Sequence, residues 1–185
     1  MTTAMTDARF EDAAERPLRL LARDGDDLRV ISALVQDAVL TGADLQYQPR
    51  TRCFSLLINR FRWESHAGAQ ATGQPHERVR ALLVFHDVLR VRQQGLSTRD
   101  GDTVLSLLAV DFVPGASPGA DAAETPEEKP ADVPAAPGQV TLVFAGDGAV
   151  ALDVDCLEVH LGDVTRPYLA PSRRAPVHPT DPETD

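Results

Sequence analysis

Arg78–Gln94 reads RVRALLVFHDVLRVRQQ. Apolar and polar residues recur there with a period near two on either side of His86-Asp87. That pattern predicts two strands, Arg78–Phe85 and Val88–Gln94, around a tight turn. Upstream, Asp44–Gln48 and Cys53–Trp63 flank Pro49-Arg50-Thr51-Arg52, which reads as a second hairpin turn. Downstream, Gly95–Asp102 is a connection and Thr103–Val113 is strand-like, with a helix left open. Gln139–Ala145 and Ala149–Asp153 form a third hairpin around Gly146-Asp147-Gly148.

The ends of the chain read differently. Pro17–Arg23 is a short strand. The run DGDDLRVISALVQDAV that follows sets Leu28, Ile31, Leu34, Val35 and Ala38 at helical spacing behind acids that favour a helix start. Asp24 or Asp26 is the expected cap. A short C-terminal helix is expected from Asp153 or Asp155 to about Asp163, with Leu157 and Leu161 four apart. The sum is an α+β fold of mainly antiparallel β, with about seven to eight strands. Its order of elements is similar to a pleckstrin-homology-like split barrel, and a two-layer α+β sandwich is the rival.

Composition sets the boundaries. Of 185 residues, 1–16 read as a disordered N-terminus, and 17–168 as one domain. Residues 114–137 (PGASPGADAAETPEEKPADVPAAP) read as a mobile insertion within it, and 169–185 as a proline-rich acidic tail. The polar, glycine-containing segment 64–77 is a loop. The net charge of −10 is uneven: residues 1–16 carry −2, residues 117–132 carry −4, and residues 179–185 carry −3. The two cysteines, the acidic start and the lack of an apolar run of about 18 residues point to a cytoplasmic protein with no membrane span.

Two stretches resemble a known family. LINRFRWE at Leu57–Glu64 and AGDGAVALDVDCLEVHLGDVTRPY at Ala145–Tyr168, together with LLARDGDDLRVISALVQDAV, are similar to the bacterial domain of unknown function 2948. The resemblance covers most of residues 17–178 and implies no activity, cofactor or catalytic residue.

The most informative constellation is Arg-x-Arg, at Arg50/Arg52, Arg60/Arg62, Arg78/Arg80 and Arg90/Arg92. Residues two apart on a strand share a face, so Arg60, Arg62, Arg78, Arg80 and Arg92 are candidates for a basic plaque that binds carboxylates or phosphates. The plainer account is a solvated face whose arginine stems cover apolar surface. A third account is docking of the chain's own acidic segments. Phe54, Phe61 and Trp63 fall among these pairs, but alternation sends Phe61 and Trp63 away from Arg60 and Arg62, toward the core. That weighs against an RNA-stacking platform.

Cys156 and His160, four apart on the expected helix, make a metal half-site with no partner pair, so no metal site and no cofactor are assigned. The leading expectation is a non-catalytic cytoplasmic binding domain with an anionic protein or small-molecule partner. Alternatives are an enzyme using Cys156/His160 or the His66–His76 loop, and an RNA-associated protein. Deleting residues 117–135 should leave the melting temperature nearly unchanged; a fall of more than a few degrees would show that the insertion packs.

Overall fold

The structure, a computed structural model, describes residues 17–65, 77–96, 101–115 and 137–170. Strand β1 (Arg19–Ala22) leads into helix α1 (Gly25–Val35), then β2 (Ala38–Thr41), β3 (Leu45–Gln48) and β4 (Cys53–Phe61). There follow β5 (Glu77–Phe85), β6 (Val88–Gln94) and β7 (Val104–Pro114). The last are β8 (Gly138–Phe144), β9 (Gly148–Val154), β10 (Val159–Asp163) and β11 (Tyr168–Leu169). The segments 1–16 and 66–76, and most of the expected insertion and tail, lie outside the described residues.

Asp24 caps α1 by accepting the backbone N–H of Asp27 at 2.8 Å. Leu28, Ile31 and Val35 of the helix are buried. The helix stops earlier than the apolar spacing suggests. Asp37 takes φ 58°, and Ala38 becomes the first residue of β2, paired with Leu107 of β7. The hydroxyl of Ser32 accepts the Val110 N–H at 2.8 Å, fastening α1 to β7.

All strand pairs are antiparallel, in the order β1-β10-β5-β4-β2-β7-β8-β9-β6, with β11 added to β5 and β3 to β4. Alternate residues point into one core: Leu56 and Ile58 of β4, Leu83 of β5, Leu107 of β7, Leu142 of β8 and Leu152 of β9 are fully buried there. The antiparallel α+β class is as expected, and residues 104–114 are strand. Eleven strands are described where seven to eight were expected, the extra ones being short.

Two elements differ from expectation. First, β5 and β6 are not a hairpin. A two-residue hairpin turn needs a positive φ at both central positions or at the first, and of His86 and Asp87 only Asp87 has one, at 54°. The chain therefore bends instead of reversing, and β5 pairs with β4 and β10 while β6 pairs with β9. The partner chain bends with it: His86 N–H donates to Glu158 O, and Asp155 N–H to Asp87 O, each at 3.0 Å. One two-stranded ribbon thus turns a corner between two parts of the sheet, a known use of bends and bulges.

Second, the expected C-terminal helix is absent: residues 155–158 form the outer chain of that corner, and Val159–Asp163 are β10. The four-residue interval between Leu157 and Leu161 also contains buried Val159, which makes the period two. Without that helix, the likeness to a pleckstrin-homology barrel lacks its closing element.

Left-handed backbone at Asp87 is costly for a β-branched residue and mild for asparagine. Asp87→Val should lower the unfolding free energy by about 1–3 kcal/mol in urea melts, and Asp87→Asn by clearly less. Equal losses would mean that the carboxylate's bonds, and not the backbone conformation, hold the corner.

Candidate functional site

The five candidate arginines go to three places. Arg60 shares its parity with Phe54, Leu56 and Ile58, so it points to the core and is completely buried. Its Nε and Nη2 donate to Asp163 at 2.9 and 3.0 Å, and its Nη1 and Nη2 donate to Glu64 at 2.9 and 2.8 Å. Nη1 also donates to the carbonyl of Phe61 at 3.4 Å. All five donors of the guanidinium are used, which is how a buried arginine is tolerated. Asp163 in turn accepts the Leu18 N–H at 3.0 Å.

Burial by itself disfavours charge on Arg60 and on Glu64. Their partners together outweigh it: Glu64 and Asp163 raise the arginine, and Arg60, with Arg62, lowers the glutamate from its ordinary value. Arg62 joins the cluster through Glu77 at 2.5 Å and Glu64 at 3.7 Å. A cleft of about 440 Å³ opens over it, lined by Leu18, Arg62, Glu64, Asp163, Thr165 and Arg166 among others.

Arg78 and Arg80 lie on the opposite, outer face of the sheet. Inward-facing Val79 is the cross-strand partner of Arg60, whereas Arg80 faces Asn59. Arg92 is on β6, well removed in strand order, and is paired with Asp153 at 2.6 Å. The single basic plaque is therefore corrected. Parity did separate Arg60 from Phe61, but Arg60 is the residue that faces the core. Two of the five candidates remain together on an exposed face.

The corner gathers a second group of chemically active side chains. Asp87 is bonded by Arg52 and by the thiol of Cys156, which donates to it at 3.2 Å. The Arg52 hydrogen bond, then that of Cys156, holds the Asp87 carboxyl below its ordinary value. Burial, then the Asp87 carboxylate, pushes the Cys156 thiol up to about 11. Such a thiol is neutral at pH 7 and a weak nucleophile.

His160 bonds Glu158 at 3.2 Å, so the structure gives Cys156 and His160 different partners. Cys53 meets His86, Sγ to Nδ1, at 3.3 Å, and its thiol too is raised, by burial and then by Asp87. The His66–His76 loop lies outside the described residues.

The aromatic residues are occupied. Phe54 and Phe61 are buried, Phe61 packs on Trp63 with ring centroids 4.6 Å apart, and the Trp63 indole donates to Gln36 O at 3.0 Å. Sequence reasoning passed over His86 and Glu158. For Glu158 and His160 the available signal was their i, i+2 spacing, which puts them on one face once the segment is read as strand.

Replacing Arg60 by methionine leaves Asp163 without its cation and Glu64 with only the more distant Arg62. It should cost about 3–5 kcal/mol at pH 7 in denaturant melts. The depressed Glu64 carboxyl stabilises the fold fully above the ordinary glutamate value of 4.5 and loses that contribution as pH falls through its lowered folded value. The gap between wild type and Arg60→Met should therefore narrow below that pH. A constant gap would contradict the assignment.

No curated protein and no solved structure matches the chain. A family model described as "Protein of unknown function (DUF2948)" matches residues 18–178. That span includes LINRFRWE and Ala145–Tyr168, the stretch that contains Asp163, and the two meet at Arg60. The chain belongs to the DUF2948 family.

Proposed function

We propose that this is a non-catalytic binding domain whose outer sheet face, across β1, β10, β5 and β4, takes an acidic segment of a partner protein. The observation that carries this reading is the state of the arginines. Arg52, Arg60, Arg62 and Arg92 each have a carboxylate partner. Arg19, Arg78 and Arg80 have none within 4 Å among the described residues. Arg78 uses one donor on Asn59 O and has others to offer.

The face also has a shape. Arg19 is opposite Gly162, and Gly162 is opposite Leu82, two residues along β5 from Arg80. A Cβ at Gly162 would meet no atom within 4 Å, so the glycine leaves a shallow depression between the arginines. Leu21 and Leu82 beside it are 39% and 38% exposed. A cationic rim around partly exposed leucines suits a peptide carrying both carboxylates and apolar side chains.

The two thiols are free, in keeping with a reducing cytoplasm. No helix is long and apolar enough to cross a membrane among the described residues. The raised thiol of Cys156 speaks against the enzymatic alternative, and the packed aromatics speak against RNA stacking.

Immobilised heparin and fluorescent poly-glutamate serve as polyanion probes. At low salt the wild type should be retained by heparin and should raise the anisotropy of poly-glutamate. The Arg19→Ala/Arg78→Ala/Arg80→Ala protein should elute near the void and bind several-fold more weakly. Identical elution and binding would remove the basis of the reading.

A further inference from the structure

At the corner, three potential ligands converge on the outer face. His86 N–H donates to Glu158 O, and His160 lies across from Val84, two residues before His86. The bent ribbon alone therefore brings His86, Glu158 and His160 to one place. Their donor atoms lie within 4.8 Å of one another. The imidazole rings meet edge to face, with centroids 5.0 Å apart, and His160 Nε2 is 3.2 Å from the Glu158 carboxylate.

We infer that His86, Glu158 and His160 form a binding site for a first-row divalent transition cation such as Zn²⁺. Two neutral imidazoles and one carboxylate are the ligand set that such ions prefer over Mg²⁺ or Ca²⁺, which take oxygen. Tetrahedral Zn²⁺ with bonds of about 2.0–2.1 Å needs donors roughly 3.3 Å apart. The cluster must contract by up to about 1.5 Å from its widest separation, and the His160 side chain, 46% exposed, is free to make that move. The fourth position is left to solvent.

Cys53 completes the arrangement from behind. When the metal takes Nε2 of His86, Nδ1 keeps the proton and donates it to the Cys53 sulfur, which fixes both the tautomer and the plane of the ring. The site does not depend on the arginine face proposed above.

The test is calorimetric titration of the full chain with Zn²⁺ alone, alongside the visible absorption of the Co²⁺ form. One Zn²⁺ per chain is expected, with micromolar or tighter affinity, and no response to Mg²⁺. His160→Gln, at an exposed position that leaves the fold intact, and His86→Gln should each weaken binding at least tenfold. Cys53→Ala should weaken it about tenfold while keeping the stoichiometry. The His66→Gln/His76→Gln/His178→Gln protein should bind as the wild type does.

Zn²⁺ binding that survives His160→Gln unchanged, or is abolished by the distal triple substitution, would overturn the site. So would a wild type that binds no Zn²⁺ at millimolar concentration.

Discussion

The fold turns on a single constraint, the need to carry a hydrogen-bonded ribbon around a corner without leaving its backbone groups unpaired. Where β5 becomes β6 and β9 becomes β10, two bonds bridge the bend, His86 N–H to Glu158 O and Asp155 N–H to Asp87 O. Each buried backbone group left open would cost about 1–3 kcal/mol. The inner chain crosses with two residues and the outer with four, and the mismatch is absorbed by the left-handed Asp87. Arg52, itself at φ 52°, and Cys156 both bond that residue's side chain. The corner keeps the sheet wrapped over a common core and brings His86 beside Glu158 and His160.

At the other end of β5 the structure solves a different problem. An arginine set into the core row of β4 would be ruinous alone, and two bidentate carboxylates make it tolerable. Glu64 is supplied by the turn just after β4, and Asp163 by the last residue of β10, 103 positions away. The Arg60 cluster therefore ties β4 to β10 across the intervening β5. Its role is structural, and of the five arginines that first suggested an anion site it takes up two, Arg60 and Arg62.

Much of this was legible in the chain. The alternation of Cys53–Phe61 and of Glu77–Phe85, the Gly146-Asp147 turn and the Asp24 cap all follow from local rules, and all are present. The inward direction of Arg60 was also readable, since it continues the row Phe54, Leu56, Ile58; attention to charge obscured it. The same holds for Leu157, Val159 and Leu161, whose alternation was hidden by a helical interval. What could not be read is long-range. Whether His86-Asp87 reverses the chain or bends it depends on which strands lie on either side. Asp163 reaching Arg60, and His86 reaching Glu158, are products of that ladder.

The disposal of the arginines has a consequence for how this molecule looks from a distance. Charges farther off than a Debye length of about 8 Å are largely screened at physiological salt, so the surplus of carboxylate in residues 1–16, 117–132 and 179–185 acts on a distant visitor mainly at low ionic strength. At contact it meets the guanidinium groups that have no carboxylate partner among the described residues, Arg19, Arg78 and Arg80 among them. Repulsion in dilute salt and attraction at contact act in opposite senses, so recognition depends more on where a ligand's negative groups sit than on how many it carries.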